Sequence, residues 1–303
     1  MDWSRVLWRA GWVLAAVMVV HVAALLVTGG AVTGPVSLRK PATFAETTWL
    51  LCWSVALTLP WLHLGWVRTG FVAVAVLAFG FGETAVMAIQ AWRGVPSHYN
   101  FTTTFDAVLM RGGAGGLAFL MLAGLVVLLT GLGGSTAPAS VRLGVAAGVG
   151  VLVVGCLVGF VMISNMSGVF QGAFATAFSG PQRGYLGPSA ATVGHQYLLL
   201  RPHTSGGDLV LLHAVGVHGM LLLTVPAVLL ARAGVPERRR LRLVGAMTGC
   251  VVVGLAGLVV QAFGQRPWAS LSTPVLLVLV ALAAGYAITL ARSVLDLRSP
   301  AAR

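Results

Sequence analysis

The sequence predicts an all-α fold, a polytopic transmembrane helix bundle of about eight spans, and three observations carry that prediction. Of the 303 residues, 58% are hydrophobic and only 9% charged, against about 25% charged in soluble domains. Mean hydropathy is +0.93. The apolar residues also fall into runs of roughly 18 to 23 residues, close to the roughly 20 that cross a hydrocarbon core of about 30 Å.

The first run, Ala10 to Val32, follows Arg5 and Arg9 as the core of a signal peptide would. It is too long for one and lacks a small-residue cleavage site, so it reads as a retained helix. The others are Thr47 to Trp66, Gly70 to Trp92, Gly113 to Leu132, Val141 to Ile163, Leu209 to Leu230, Leu243 to Phe263 and Thr273 to Leu290. The fourth extends back to Phe105 if Arg111 sits at the membrane edge, and the last is the shortest. No repeat or soluble domain interrupts them, so residues 1–303 read as one integral membrane domain. Within the long loop 164–208, Phe170, Phe174 and Phe178 recur at helical spacing. They predict a short interfacial helix over Val169 to Phe178, either a lid over a cavity or a segment packed on the bundle, followed by turns from Gly180 to Pro188. Cys52, Cys156 and Cys250 all fall in apolar runs and read as small core residues.

A net charge of +12 would suggest nucleic acid in a soluble protein. Here 18 of the 19 basic residues are Arg and cluster in short loops, the pattern of positive-inside topology. With eight spans both termini share a side, and that side carries 12 basic residues against 7. The short Glu237 to Arg242 loop weighs most. Both termini are therefore expected in the cytoplasm, with the lipid bilayer and not nucleic acid as partner. The motif-bearing loops Gly34 to Glu46, Arg93 to Arg111, Ser164 to Asp208 and Gly264 to Ser272 then face outward.

Glu83 lies inside an apolar span, where a carboxylate is costly and marks a functional site. Counting inward at 1.5 Å per residue puts Glu83 and His218 at about 14 Å and His21 at about 16 Å. Gln90 extends a polar stripe from Glu83 toward the outer surface. Nearer that surface lie Glu46, His98, Asp106, Arg111 and His213. His213 and His218, five residues apart, point about 140° apart on a regular helix. They suit one metal only if Gly216 allows a distortion. His63 reads as an interface residue at the opposite face. Ser97 beside His98 does not by itself make a nucleophile and base, and Arg39-Lys40-Pro41 reads as a helix-end anchor or a contact for lipid phosphate. The run Gly112 to Gly116 reads as helix packing.

Walker A, C-x-x-C, H-E-x-x-H and G-x-S-x-G patterns are absent. Gly34-Pro35-Val36-Ser37-Leu38-Arg39-Lys40-Pro41, the loop Trp92-Arg93-Gly94-Val95-Pro96-Ser97-His98-Tyr99-Asn100, and Gly206-Gly207-Asp208-Leu209 followed by His213 and His218 resemble a group of uncharacterised bacterial multi-pass membrane proteins. The resemblance covers mainly Gly34 to Asp106 and Gly206 to Gly219, places the chain in a bacterial plasma membrane and implies no reaction. Three functions fit the residues. Haem b or a divalent metal held by His218 with His21 or His213 would serve electron transfer. A metal-dependent hydrolase of a lipid-like substrate would use His98, His213, Asp106 and Glu46. A proton-coupled transporter or small-molecule sensor would use Glu83 and the histidines. Taken together, Glu83, His98, Asp106 and Arg111 are the candidate catalytic residues, and the site opens outward.

Overall fold

The computed structural model describes residues 1–30, 36–98, 100–164, 185–186, 207–266, 271 and 273–298. Its elements are α1 (Trp3–Thr28), α2 (Arg39–Thr58), α3 (Trp66–Trp92), α4 (Thr104–Val108), α5 (Leu117–Thr130), α6 (Ala139–Ser164), α7 (Leu209–Val217), α8 (Val225–Arg232), α9 (Glu237–Phe263) and α10 (Thr273–Arg298). The strand content described is one antiparallel pair, Tyr185–Leu186 with Gly207–Asp208. The fold is all-α, as expected. The predicted interfacial helix Val169 to Phe178 lies outside the described residues.

Among the described residues, six stretches are long and apolar enough to cross a membrane: α1, α3, the continuous Thr104–Thr130, α6, α9 and α10. A seventh forms if α7 and Met220–Arg232, bent by 44°, count as one. This corrects the expected eight. The missing span is the second, because its helix starts at Arg39 instead of Thr47 and ends in a 3-10 turn at Leu59–Trp61. Its first two turns therefore carry Arg39, Lys40, Thr43 and Glu46.

The chain forms two compact units, Met1–Thr136 and Ala137–Arg303. In the first, α2 runs antiparallel to α1. Trp53 stacks on Trp8 with centroids 4.4 Å apart, and Gly80 of α3 faces both Thr48 and Leu14. Gly11 is what lets α2 come so close, since a Cβ there would strike the Trp53 indole. Helix α5 returns antiparallel to α3, with Gly124 against Val72 and Ala75, and Gly113 against Val86. Between α4 and α5 the chain widens into a π-helical segment, Leu109–Gly116. Of the glycines expected to pack there, Gly113 meets Val86 while Gly112 faces open space, and Arg111 is exposed over the Phe101 ring at 5.5 Å.

In the second unit α6 and the bent α7/α8 segment pack antiparallel through facing glycines. Gly144, Gly148, Gly155 and Gly159 share one face of α6 and meet Ala227, Thr224, Gly216 and His213 in that order. Small residues let membrane helices approach to backbone contact. Asp208 caps α7, accepting from Leu211 N at 2.9 Å, so the Gly-Asp pair before that helix is a start signal. The Ser140 amide at the start of α6 donates to Glu237 Oε1 at 2.8 Å. Arg240 is paired with Glu237 as well, within the first turn of α9, so the basic cluster expected as a loop is the start of that helix.

Candidate functional site

The polar residues of the first unit gather at the end of α3 where the chain leaves for α4. Helix α3 ends at Trp92, and Gly94 adopts φ 70°, a left-handed conformation that glycine takes without strain. Val95 N then donates back to Gln90 O at 3.1 Å. This turn folds residues 95–98 back over the helix end, where Ser97 and Asn100 are buried.

Asp106 anchors the fold-back. Its Oδ1 accepts from Gln90 Nε2 at 2.8 Å and Arg93 Nη1 at 2.6 Å. Its Oδ2 accepts from Thr103 Oγ1 at 2.6 Å, while Asp106 N donates to Thr103 Oγ1 at 3.1 Å. The bond from Asp106 N makes Thr103 the N-cap that starts α4. Asp106, a candidate acid or metal ligand by sequence, thus spends both oxygens on structure. Arg93 also lies over the Phe105 ring, 4.8 Å from its centroid.

The fold-back delivers His98 to Glu83. Glu83 is 4% exposed, faces the interior of the unit, and its Oε1 lies 3.8 Å from His98 Nε2. Its Oε2 is buried with no hydrogen-bond partner. The expected interior orientation holds, but the imidazole beside it comes from the loop and not from His21. On its other side His98 packs on Phe44 of α2, with centroids 5.4 Å apart, and its Nδ1 lies 3.4 Å from Ser97 Oγ. Ser97 Oγ accepts from Lys40 Nζ at 3.0 Å. Burial, with Arg39 beside it, pushes the Lys40 ammonium down to about 8. A continuous series, Lys40–Ser97–His98–Glu83, therefore runs from the start of α2 to the buried carboxylate. Lys40 and Ser97 were not among the candidates. The signal for the first was in the composition, since it is the one lysine among 19 basic residues.

The intramembrane histidines differ in what they leave free. His21 Nδ1 lies 2.8 Å from Val17 O and its Nε2 3.3 Å from Trp92 Nε1. A carbonyl only accepts and an indole N–H only donates, so both His21 nitrogens are engaged, Nδ1 donating and Nε2 accepting. In the second unit His213 Nδ1 reaches Gly155 O at 2.7 Å and His218 Nδ1 reaches Ala214 O at 2.7 Å. Each keeps Nε2 for another partner, the tautomer that a metal-ligating histidine uses. The expected distortion between them is present but sits later than Gly216. Helix α7 stops at Val217 and His218 leads into a π-helical turn, Met220–Thr224. Among the described residues no three His, Cys, Asp or Glu side chains stand close enough to hold a metal ion. Glu46 is half-buried on α2. Comparison with protein-family models, curated proteins and solved structures finds no match for this chain.

Proposed function

We propose that this chain is a multi-pass protein of the bacterial plasma membrane whose first unit holds an outward-opening proton site, Glu83 with His98, serving a proton-coupled transporter or sensor. The observation that carries it is the buried Glu83 carboxylate, with one oxygen facing an imidazole and the other unpartnered. An ionisable group at that depth is retained where protons or ions are handled. Ser97 and Lys40 extend the pair toward the end of the unit that carries the Arg93–Arg111 loop. The haem reading draws less support, because His21 has no nitrogen left for iron.

The test is infrared difference spectroscopy on protein in vesicles as external pH is stepped. A carboxylic C=O band should rise and fall with pH, vanish in Glu83→Gln and change its pH dependence in His98→Gln. A pH-insensitive spectrum, or one that Glu83→Gln leaves unchanged, rejects the site. The orientation rests on the cluster Arg238, Arg239, Arg240 and Arg242, which the spans Thr104–Thr130, α6 and the bent α7 to Arg232 pair separate from Pro96 in sequence. In a chain with Cys52, Cys156 and Cys250 replaced, Pro96→Cys should label from outside and Arg238→Cys only from inside. Labelling of Pro96→Cys only from the cytoplasm would reverse the topology.

A further inference from the structure

The hydrogen-bonding capacities along the polar series fix its direction. A lysine ammonium only donates, so in the Lys40 Nζ to Ser97 Oγ bond of 3.0 Å the serine oxygen accepts. The one serine proton is left to point at His98 Nδ1, 3.4 Å away. With Nδ1 accepting, a neutral His98 carries its proton on Nε2, the nitrogen that faces Glu83 Oε1 at 3.8 Å. Hydroxyl, imidazole and carboxylate thus stand in the order of a serine-hydrolase triad, with the ring nitrogens interchanged. Both separations exceed working hydrogen bonds, as resting sites often do before substrate tightens them.

We propose that Ser97 is a nucleophile for acyl transfer from membrane-lipid esters, with His98 as its base, Glu83 orienting the imidazole, and Lys40 donating to the oxyanion. This rests on the reading of Glu83 and His98 as a proton-exchanging pair. In the acylation step Ser97 Oγ bonds to the ester carbonyl carbon as its proton passes to His98 Nδ1. The C–O bond to the lipid alcohol then breaks, and His98 returns the proton to the departing alkoxide. Water or a second alcohol repeats the sequence to release the acyl group. Lys40 lies in the first turn of α2 beside Arg39, so the positive end of the helix dipole adds to its stabilisation of negative charge.

The substrate class follows from the surroundings. Ser97 is 2% exposed, but Trp92 is 60% and Phe105 52% exposed at the same end of α3 and start of α4. Those apolar surfaces face acyl chains. The exposed turn at Gly94 and Pro96 immediately precedes the serine. An ester reaches the hydroxyl when that turn moves.

The test is an alkyl fluorophosphonate, in which serine displaces fluoride from phosphorus, applied to the full chain in vesicles and read by peptide mass spectrometry. One adduct is expected, on Ser97. Its rate should fall by roughly 10²-fold or more in His98→Gln, and by a smaller factor in Lys40→Met. Unlabelled Ser97 in wild-type protein with a normal thermal melt overturns the proposal, as does an adduct formed equally fast in His98→Gln. The proton site is judged separately, because Ser97→Ala should keep the Glu83 infrared band. Absence of labelling with the band intact removes only the nucleophile, whereas loss of the band from wild type removes the site itself.

Discussion

Gly155→Leu should prevent the second unit from folding, and even Gly155→Ala should lower the thermal midpoint in detergent, while Gly249→Ala should raise it slightly. A Cβ on Gly155 would lie 2.5 Å from Val217 N and 2.6 Å from Gly216 C, both backbone atoms that no rotamer change can move aside. The helices must separate, which forfeits packing along Gly144, Gly148 and Gly159 and stretches the 2.7 Å bond from His213 to Gly155 O. Overpacking by one carbon costs about 1–3 kcal/mol. The gain in helix propensity, about 1 kcal/mol, offsets only part of it. Gly249, on α9, has nothing within 4 Å of a built Cβ, so there the propensity gain stands alone. Equal melting of Gly155→Ala and Gly249→Ala would show that the close approach does not hold the unit together.

That helix crossing shows which part of the fold was legible. Hydropathy located the apolar runs because bilayer crossing imposes length and composition on each run separately. It is blind to which face meets which neighbour. The spacing of Gly144, Gly148, Gly155 and Gly159 was readable as one helical face, but only contact with Gly216 and Gly219 distinguishes it from the open Gly245 and Gly249. The second span failed for a related reason. Polar residues from Arg39 to Glu46 look like a loop when judged by hydropathy, yet they are helical, and Lys40 finds a partner in Ser97.

Glu83 was legible as a site because its cost is local, set by the apolar residues on either side of it. Its partner was not, because linear depth assigns a loop residue to the surface. The turn at Gly94 reverses the chain and carries His98 back to the carboxylate. The same reversal joins Ser97 to Lys40 across 57 residues of sequence. Depth matching selected His21 or His218 instead, and His21 is occupied by Trp92.

Asp106→Ala should be among the most damaging single changes in the first unit, costing about 1–3 kcal/mol, the range for leaving a buried hydrogen-bonding group without its partner. Gln90 Nε2 and Thr103 Oγ1 would lose the carboxylate they donate to and Arg93 would lose its counter-charge, while the cap bond from the amide of residue 106 to Thr103 Oγ1 would remain. Gln90 is 1% exposed, so its amide cannot turn to water instead. Asp106→Asn should cost less, since one oxygen remains for Arg93 while the new amide opposes a donor. The consequence for function follows from connectivity: the fold-back that carries Ser97 and His98 is held at one end by α3 and at the other by Asp106. In Asp106→Ala, amide hydrogen exchange should therefore accelerate at Ser97, His98 and Phe101, and the Glu83 infrared band should lose its dependence on His98. Unchanged exchange there, together with a melting midpoint within a degree or two of wild type (about 1 kcal/mol or less), would mean that the loop is held by something other than this carboxylate.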